Sequence, residues 1–389
     1  MGRDTGALDG RAPKILFVAQ DQFPPFRPAA KVIFADELPR RGYRIDWLVQ
    51  ASKADLGAGQ RAFGTGTVYL AATDDGTSRR RRLRKYWLNF RNDLQIFRLL
   101  KSGDYDAVQI KDKYITALLA IVACRLRGVP MFYWLAYPHA EASLYAAKQR
   151  LARYPLFYRA RGLLQHWLLY RLILPAAAHV FVQSEQMRED IVRHGIPREK
   201  MTPIPGSVNV QAMLRSRATE KPPGERWIVY LGTLIRERKL DLLVRAFREV
   251  AERMPEARLI LVGAGEMADD EALLWAEAEK AGVAGKVRVT GWVPMTEAWG
   301  YARAADICVS PIAPVSILAC GSPTKLIEYM ALGKAVVANE HPEQSVVVRE
   351  SGGGLLCEWS EAAFAQAMLH LLENPDEANA RGRPPRALP

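Results

Sequence analysis

Cysteine is scarce in this 389-residue chain, and long apolar runs are absent. The four cysteines form no Cys-x-x-Cys pair and lie near no histidine cluster at metal-ligand spacing, so we expect reduced, mostly buried thiols and no metal site. The longest uncharged apolar stretch, residues 115–124, is about half of the roughly 20 residues that a membrane-spanning helix needs. Residues 1–13 carry charges and no apolar block, which favours a flexible leader over a secretory signal. These absences predict a cytoplasmic protein without a transmembrane helix.

The composition is that of a folded protein, with 49% hydrophobic and 25% charged residues. It excludes disordered and collagen-like chains, and the length favours two domains. The net charge of +12 is unevenly spread, because residues 1–215 contain 34 Lys and Arg against 18 Asp and Glu, whereas residues 216–389 contain 20 against 24. The first part therefore carries a charge of +16 and the second a charge of −4. We expect the basic half to meet an anionic partner.

Short apolar runs alternate with helical patterns through the first half of the chain. The runs occupy residues 14–20, 44–50, 107–110, 131–136 and 179–183. Strands that alternate with helices predict a parallel sheet with helices on both faces.

The same alternation restarts after a polar stretch, RSRATEKPPGE at residues 215–225. Its Pro, Gly and charge content is typical of a linker. The predicted fold class is α/β, with two doubly wound parallel-sheet domains. Such sheets bind ligands beyond the carboxyl ends of their strands, so we expect the two domains to face a central cleft. The predicted segments are a leader at 1–13, an N-terminal domain at 14–214, the linker at 215–225, a C-terminal domain at 226–375 and an irregular tail at 376–389.

The segment with the most chemical content is SPTKLIEYMALGKAVVAN at residues 322–339. Ser322 and Pro323 begin a predicted helix, whose unpaired N–H groups and dipole favour a phosphate. Lys325 and Glu328 follow about one turn apart, so a cation for phosphate and a carboxylate for hydroxyls can face the same ligand. The alternative is an ordinary pair of charges on a helix surface.

Four segments in this order resemble the GT-B glycosyltransferases of family 4, which are retaining enzymes. They are WIVYLGTLIRERKLD at 227–241, LILVGAGE at 259–266, VTGWVP at 289–294 and the helix and strand at 323–338. The resemblance covers roughly residues 14–375. It implies two Rossmann-like domains, of which the first binds an acceptor and the second a nucleotide diphosphate sugar.

The resemblance also implies roles for single residues. Glu328 matches the family carboxylate that holds the ribose hydroxyls of the donor, and a carboxylate can accept two hydrogen bonds from a vicinal diol. Arg238 stands at the position of a family lysine, with Arg236 close by, and either guanidinium can bind a diphosphate in a bidentate manner. A solvated helix start is the alternative for both arginines. The remaining residues expected to contact the diphosphate or sugar are Gly232, Thr233, Gly321, Ser322, Thr324 and Lys325.

Two further segments of the second half are expected to contact the donor. Gly263 and Gly265 follow a strand, but Ala268 replaces the third glycine of the dinucleotide fingerprint, so NAD is not expected. The resemblance assigns Gly265 to the donor turn. It assigns Trp292 and Val293 to the nucleotide base, although a buried packing tryptophan is the alternative.

The sequence departs from the family pattern at two positions. Cys320 stands where the first signature glutamate is expected and supplies no carboxylate. Ala136 replaces a histidine of the first domain, and His139 is the candidate substitute in catalysis, with a solvated loop histidine as the alternative. Related enzymes also finish with a helix that crosses back to the first domain, and we expect a divergent or truncated tail here.

Cations and aromatic residues interleave at residues 79–98 and 154–171. Such stretches suit helices that lie on an anionic membrane surface. Nucleic acid is not expected, because no helix-turn-helix, zinc or RNA-binding motif appears. The alternative is a stripe that simply faces the core. That stripe consists of Leu163, Leu164, Trp167, Leu168 and Leu172.

Together these features predict a glycosyltransferase that is peripheral at the inner face of the membrane. It would move a sugar from a nucleotide diphosphate donor to a lipid-linked or saccharide acceptor in polysaccharide or glycolipid synthesis. The resemblance implies retention without a metal or cofactor, with Arg236, Arg238 and Lys325 stabilising charge on the departing diphosphate. Two alternatives stay open: a catalytically degenerate sugar-nucleotide-binding or scaffold subunit, and a nucleotide-sugar epimerase on the same fold.

Overall fold

The chain divides into two compact units, Met1–Ser207 and Val208–Pro389. The computed structural model describes residues 11–23, 28–51, 59–72, 78–150 and 152–383. Most of the predicted leader lies outside the described residues. Arg11, near its end, donates from its guanidinium to the Asp106 carboxylate at 2.8 Å.

The first unit is built on an eight-stranded sheet. Its strands are β1 (Lys14–Gln22), β2 (Arg44–Gln50), β3 (Gly59–Phe63), β4 (Gly66–Ala71), β5 (Ala107–Lys111), β6 (Met131–Leu135), β7 (His179–Val182) and β8 (Met201–Pro203). The order is β3-β4-β2-β1-β5-β6-β7-β8, and among the strands of the described residues only the edge pair β3 and β4 is antiparallel. The chain turns back at β1, as in a doubly wound fold.

The helices of the first unit connect its parallel strands. They are α1 (Pro28–Ala30), α2 (Leu38–Arg40), α3 (Arg79–Asp93), α4 (Gln95–Ser102), α5 (Tyr114–Arg127), α6 (His139–Lys148), α7 (Pro155–Leu168), α8 (Leu174–Ala176) and α9 (Glu185–Val192). Two π-helical segments, Lys31–Glu37 and Leu169–Ile173, continue neighbouring α-helices. Helix α5 ends at Gly128 with φ of 66°, a left-handed conformation that favours glycine.

The second unit has a six-stranded, wholly parallel sheet. Its strands are β9 (Arg226–Leu231), β10 (Ala257–Val262), β11 (Val287–Val289), β12 (Ile307–Ser310), β13 (Val336–Asn339) and β14 (Gly354–Cys357). The order is β11-β10-β9-β12-β13-β14, which reverses direction between β9 and β12. Ligands of such sheets bind at the carboxyl ends of the strands beside this reversal.

Nine described helices accompany this sheet. They are α10 (Val210–Leu214), α11 (Asp241–Arg253), α12 (Ala268–Lys280), α13 (Met295–Ala304), α14 (Ser316–Ala319), α15 (Thr324–Ala331), α16 (Pro342–Ser351), α17 (Glu361–Glu373) and α18 (Pro375–Gly382). None of the helices in the described parts of either unit is long and apolar enough to cross a membrane.

The core of the second unit follows the two-residue period of its central strand. Ile228 and Tyr230 face one apolar cluster, which includes Phe247 of α11. Val229 faces the other cluster, which includes Leu326 of α15. Burying a large apolar side chain stabilises a fold by about 1.5–3 kcal/mol, so burial on both faces fixes the helices to the sheet and hence the loops that follow its strands.

The domain limits differ from the predicted ones in two places. The boundary falls between Ser207 and Val208 and not at residue 214, because Met213 of α10 is fully buried in the core of the second unit. Residues 376–382 of the predicted irregular tail belong to α18, in which Ala378 is buried, and residues 384–389 of that tail lie outside the described residues. Glycine at 382 permits this packing, since a Cβ there would lie 2.3 Å from the carbonyl oxygen of Gly333.

Candidate functional site

The loops that follow β9 and β10 touch through their backbones. The Gly232 N–H donates to the Val262 carbonyl at 3.0 Å. A Cβ on Gly263 would lie 1.8 Å from the Gly232 carbonyl oxygen, and Gly263 has φ of 146°. Only glycine fits this crossing, which brings the first two predicted donor segments together at the carboxyl end of the sheet.

Two arginines of the first loop have different surroundings. Arg238 donates from Nε to the Thr233 hydroxyl at 2.9 Å. Arg236 lies 3.4 Å from a carboxylate oxygen of Asp270 and 3.8 Å from one of Asp269. Arg236 therefore has carboxylates of the protein beside it, whereas Arg238 is oriented by a neutral hydroxyl.

The predicted donor turn at Gly265 is occupied by the protein's own carboxylates. Asp270 accepts hydrogen bonds from the N–H groups of Glu266 and Met267, at 3.0 and 2.9 Å. Glu271 accepts one from the N–H of Gly265 at 3.2 Å. These backbone donors are the ones that a phosphate would need, so in this arrangement the turn is satisfied internally.

The signature helix α15 carries a buried ion pair. Lys325 Nζ lies 3.0 Å from Glu328 Oε2. The Glu328 side chain is 2% exposed and that of Lys325 32%. An ordinary surface pair, the alternative given above, does not describe a carboxylate buried to this extent. Burial of a carboxylate costs stability unless a cation compensates it. Lys325 therefore offsets part of the cost of burying the Glu328 carboxylate.

Tyr329, which no sequence pattern singled out, fixes α15 to the central strand. Its hydroxyl accepts a hydrogen bond from the N–H of Leu231 at 2.6 Å, immediately before Gly232. Burial raises the pKa of the Tyr329 hydroxyl well above its ordinary value. This contact places the Glu328 helix beside the glycine loop, so these two predicted segments do meet.

The segment before α15 contains the first family departure. Cys320 is buried, and its Sγ lies 3.8 Å from the carbonyl oxygen of Ile317. The Thr324 N–H donates to the carbonyl of Ser322 at 2.9 Å and closes the turn into the helix. Gly321 and Ser322 are partly exposed in this turn, where the resemblance expects diphosphate contacts.

The segment expected to meet the base presents an exposed ring. Trp292 is 79% exposed, so the alternative of a buried packing tryptophan is wrong. Val293 packs against the apolar cluster below. Met295, which begins α13, lies 4.0 Å from Lys325 Nζ through its Sδ, so this segment and α15 are neighbours.

In the first unit, the candidate His139 follows β6, and the charged residues Asp112 and Lys113 follow the neighbouring strand β5. His139 is partly buried at the start of α6, and its ring centroid lies 4.9 Å from that of Tyr137. Asp112 accepts a hydrogen bond from the Ala136 N–H at 2.9 Å. Lys113 forms an ion pair with the buried Asp93 of α3. The role of His139 stays a prediction.

Two helices of the first unit expose apolar and aromatic side chains. On α3 these are Leu83, Tyr86, Trp87 and Phe90, with exposed fractions of 70, 69, 58 and 44%. On α7 they are Leu156, Phe157, Leu163, Leu164 and Trp167, with exposed fractions of 53 to 82%. The alternative of a core-facing stripe is therefore wrong for α7, whose packed side is at the buried Gly162, against α6.

The thiols agree with the sequence prediction. All four cysteines are free, and Cys124, Cys308 and Cys320 are buried. Burial raises the pKa of the Cys308 thiol to about 12. Over the residues that the structure covers, no group of three or more His, Cys, Asp or Glu side chains could hold a metal ion.

Two family models match the chain, one over each unit. Residues 34–206 match the glycosyl transferase 4-like domain, and residues 225–374 match glycosyl transferases group 1. The matches therefore cover most of both sheets.

Curated relatives support the same family at low identity. The chain is 27% identical over 271 residues to mannosylfructose-phosphate synthase of Agrobacterium fabrum, with 63% of this chain and 58% of that protein covered. It is 22% identical over 303 residues to alpha-monoglucosyldiacylglycerol synthase of Streptococcus pneumoniae, with 74% and 64% covered. The chain thus spans less than two thirds of the length of these relatives.

Solved structures share the fold over nearly the whole chain. Sucrose-phosphate synthase from Thermosynechococcus elongatus superposes with a TM-score of 0.68 at 18% identity, over 95% of this chain and 92% of that one. Anabaena HepE, solved with UDP-glucose, gives a TM-score of 0.64 at 15% identity over the same shares. Both domains therefore have the architecture that the four sequence segments implied.

Proposed function

The chain belongs to the group 1 glycosyl transferases and has their GT-B fold, and from this premise we propose that it moves a sugar from a nucleotide diphosphate donor to an acceptor. The donor would bind the second unit at the carboxyl ends of β9 and β10. The observation that carries this proposal is the buried Glu328 carboxylate, held by Lys325 on a helix that Tyr329 fixes beside the glycine loop.

Each group would have a separate task. Glu328 would accept hydrogen bonds from the two ribose hydroxyls. Lys325 and Arg238 would balance the charge that grows on the diphosphate as it leaves, and donors fixed in place beforehand stabilise such charge efficiently. Trp292 would stack on the base. We also propose retention of the anomeric configuration without a metal, with the acceptor proton passing to the departing phosphate.

The test is nucleotide affinity of the Glu328→Gln variant. Titration calorimetry with UDP, GDP and dTDP identifies the base that the wild type prefers. The amide keeps the shape of the side chain but loses the charged acceptor, so we expect the dissociation constant of that nucleotide to rise roughly tenfold or more. Glu252→Gln is the matched control, since Glu252 is an exposed carboxylate of α11 that pairs with Arg248. Equal affinity of wild type and Glu328→Gln removes Glu328 from the site.

Turnover separates the enzyme from its alternatives. A transferase releases nucleotide faster when an acceptor-bearing lipid extract is added, an epimerase needs no acceptor, and a scaffold subunit binds without turnover. Lys325→Ala should abolish turnover. Because that change leaves the Glu328 carboxylate buried without its cation, the double variant Lys325→Met with Glu328→Gln, which removes both charges, shows whether the helix still folds.

The acceptor side of the proposal rests on the first unit. We call the exposed apolar residues of α3 and α7 the basic aromatic face. Both helices lie on the α5 side of the sheet, because α5 contacts α3 and the π-helical segment that continues α7. Arg80, Arg91 and Arg159 are exposed on the same helices. We propose that this face lies on an anionic membrane at its cytoplasmic side, where a lipid-linked acceptor would be met.

A further inference from the structure

His341 is buried at the start of α16, where it caps the helix. The imidazole Nδ1 accepts hydrogen bonds from the N–H groups of Glu343 and Gln344, at 3.2 and 3.4 Å. Its side chain is the N-cap of α16, and the residue is 6% exposed. Histidine rarely has this task, which Ser, Thr, Asp and Asn perform with a shorter side chain.

The other ring nitrogen reaches the segment that leads into the signature helix. Nε2 of His341 lies 3.0 Å from the carbonyl oxygen of Leu318 in α14, just before Gly321 and Ser322. Since the carbonyl only accepts and the two α16 amides only donate, the proton must be on Nε2 and the ring must be neutral. One imidazole therefore joins α16 to the loop at residues 316–323.

We propose that neutral His341 is a positioning residue, which holds the 316–323 loop in the conformation where Gly321 and Ser322 meet the donor diphosphate. This inference rests on the proposed donor site. It explains why a ring, and not a shorter cap, stands at 341: only a side chain with two hydrogen-bonding ends can cap α16 and reach Leu318 at once.

Protonation would break the arrangement. A second ring proton would point from Nδ1 at the two N–H groups of α16. Burial lowers the pKa of His341 below its ordinary value of 6.5. The charged groups nearby are Glu343 on α16 and Glu340, whose carboxylate already accepts from Ser345 and Arg349; α14 contributes only the Leu318 carbonyl. The neutral ring is the form that the fold favours. The hydrogen bonds by which His341 joins α16 to the 316–323 loop, here called the tether, are therefore complete above pH 6.5 and weaken as the pH falls below it.

The variant His341→Asn separates the two functions of the ring. Asparagine is a good N-cap, so α16 keeps its first turn, but the side chain is too short to reach the Leu318 carbonyl. We expect about fivefold weaker nucleotide binding near pH 8, the worth of one net hydrogen bond. We also expect the ratio of variant to wild-type dissociation constants to fall toward one as the pH drops well below 6.5, because the wild type then loses the same hydrogen bonds through His341.

The matched control removes a cap that is distant from the loop. Ser360 caps α17 by accepting from the Ala363 N–H. Ser360→Ala should lower the melting temperature and leave nucleotide affinity and its pH profile unchanged. Using ratios at each pH cancels the ionisation of the nucleotide.

A second measurement needs no nucleotide. Amide hydrogen exchange of the free protein should be faster at residues 316–323 in His341→Asn than in wild type at about pH 8, with α16 equally protected in both. Unchanged exchange there, or a ratio of dissociation constants that stays at one, overturns the role of His341. If the wild type binds none of the nucleotides, the donor site itself fails, and the exchange result still decides whether the tether exists.

Discussion

Glu328 is an acid that the fold buries although a polar surface position would cost less. Its carboxylate has Lys325 as a partner on one oxygen, and a single half-exposed cation compensates a buried charge only in part. A ligand that donates two hydroxyls would complete the set. The burial of Glu328 is therefore better explained by ligand binding than by stability. The two arginines of the first loop can be compared in the same way, by asking which of them already has a charged partner in the protein.

Arg238→Ala and Arg236→Ala should differ in their effect on turnover. Arg238 is oriented by Thr233 and keeps its charge for the diphosphate, so we expect its loss to lower kcat by about two orders of magnitude. Arg236 already pairs with Asp269 and Asp270, so its loss should lower kcat less than about tenfold. Steady-state kinetics with saturating donor gives both values, and an equal loss in the two variants contradicts the assignment.

The glycine crossing makes a prediction about stability. Gly263→Ala would drive a Cβ into the Gly232 carbonyl at 1.8 Å, and we expect the free energy of unfolding to fall by more than about 3 kcal/mol. Gly285→Ala is the control, because a Cβ there meets nothing within 4 Å. Denaturant unfolding measures both, and similar midpoints would mean that the two loops can separate without cost.

At the scale of elements, α3 carries apolar side chains that packing within the protein does not explain. Leu83, Tyr86, Trp87 and Phe90 recur at helical spacing on one side and remain exposed, with the Arg91 guanidinium 5.7 Å from the Trp87 ring. The far end is anchored, since the buried Asp93 pairs with Lys113 at the start of α5. A helix fixed at one end and apolar on its open side is suited to a surface.

Binding to vesicles tests this helix. The double variant Trp87→Ser with Phe90→Ser should reduce partition into vesicles of phosphatidylglycerol and phosphatidylcholine by about tenfold, because two interfacial rings are lost. Trp275→Ser on α12 is the control for loss of a partly exposed tryptophan. Wild-type binding should weaken on phosphatidylcholine alone. Equal sedimentation of all three proteins argues against the basic aromatic face.

The elements that the sequence predicted well are those with buried periodic patterns. β2 is confirmed at Arg44–Gln50 because nearly every residue in it is buried. Strand β3, which forms a hairpin with β4, was not predictable, since Gly59–Phe63 is mostly exposed and has no apolar alternation. The site shows the same limit: Lys325 and Glu328 are neighbours on one helix, whereas the carboxylates beside Arg236 come from the first turn of α12, more than thirty residues later in the chain.

At the scale of the whole molecule, charge is unevenly divided along the chain. Residues 1–215 carry a net charge of +16, and residues 216–389 carry −4. An anionic surface would therefore attract the first part of the chain and repel the second, whereas the phosphates of the proposed donor would depend on a few local cations at the carboxyl end of the second sheet.

Metal independence of the proposed reaction is testable on this chain. If Lys325, Arg238 and the start of α15 supply the charge that the diphosphate needs, turnover should persist within about twofold after dialysis against EDTA. Mg²⁺ added back should not raise kcat. A loss of activity that Mg²⁺ or Mn²⁺ restores would assign the diphosphate charge to a metal and overturn this part of the proposal.

The hydrogen bond from the Leu231 N–H to the Tyr329 hydroxyl joins residues 98 positions apart. During synthesis, the glycine loop after β9 emerges long before α15, the helix that would complete the proposed donor site. A nascent second unit would therefore be unable to recognise a nucleotide until α15 has left the ribosome. Nucleotide should act as a folding ligand only for chains that have passed Tyr329, so the donor would stabilise finished molecules and give no help to incomplete ones.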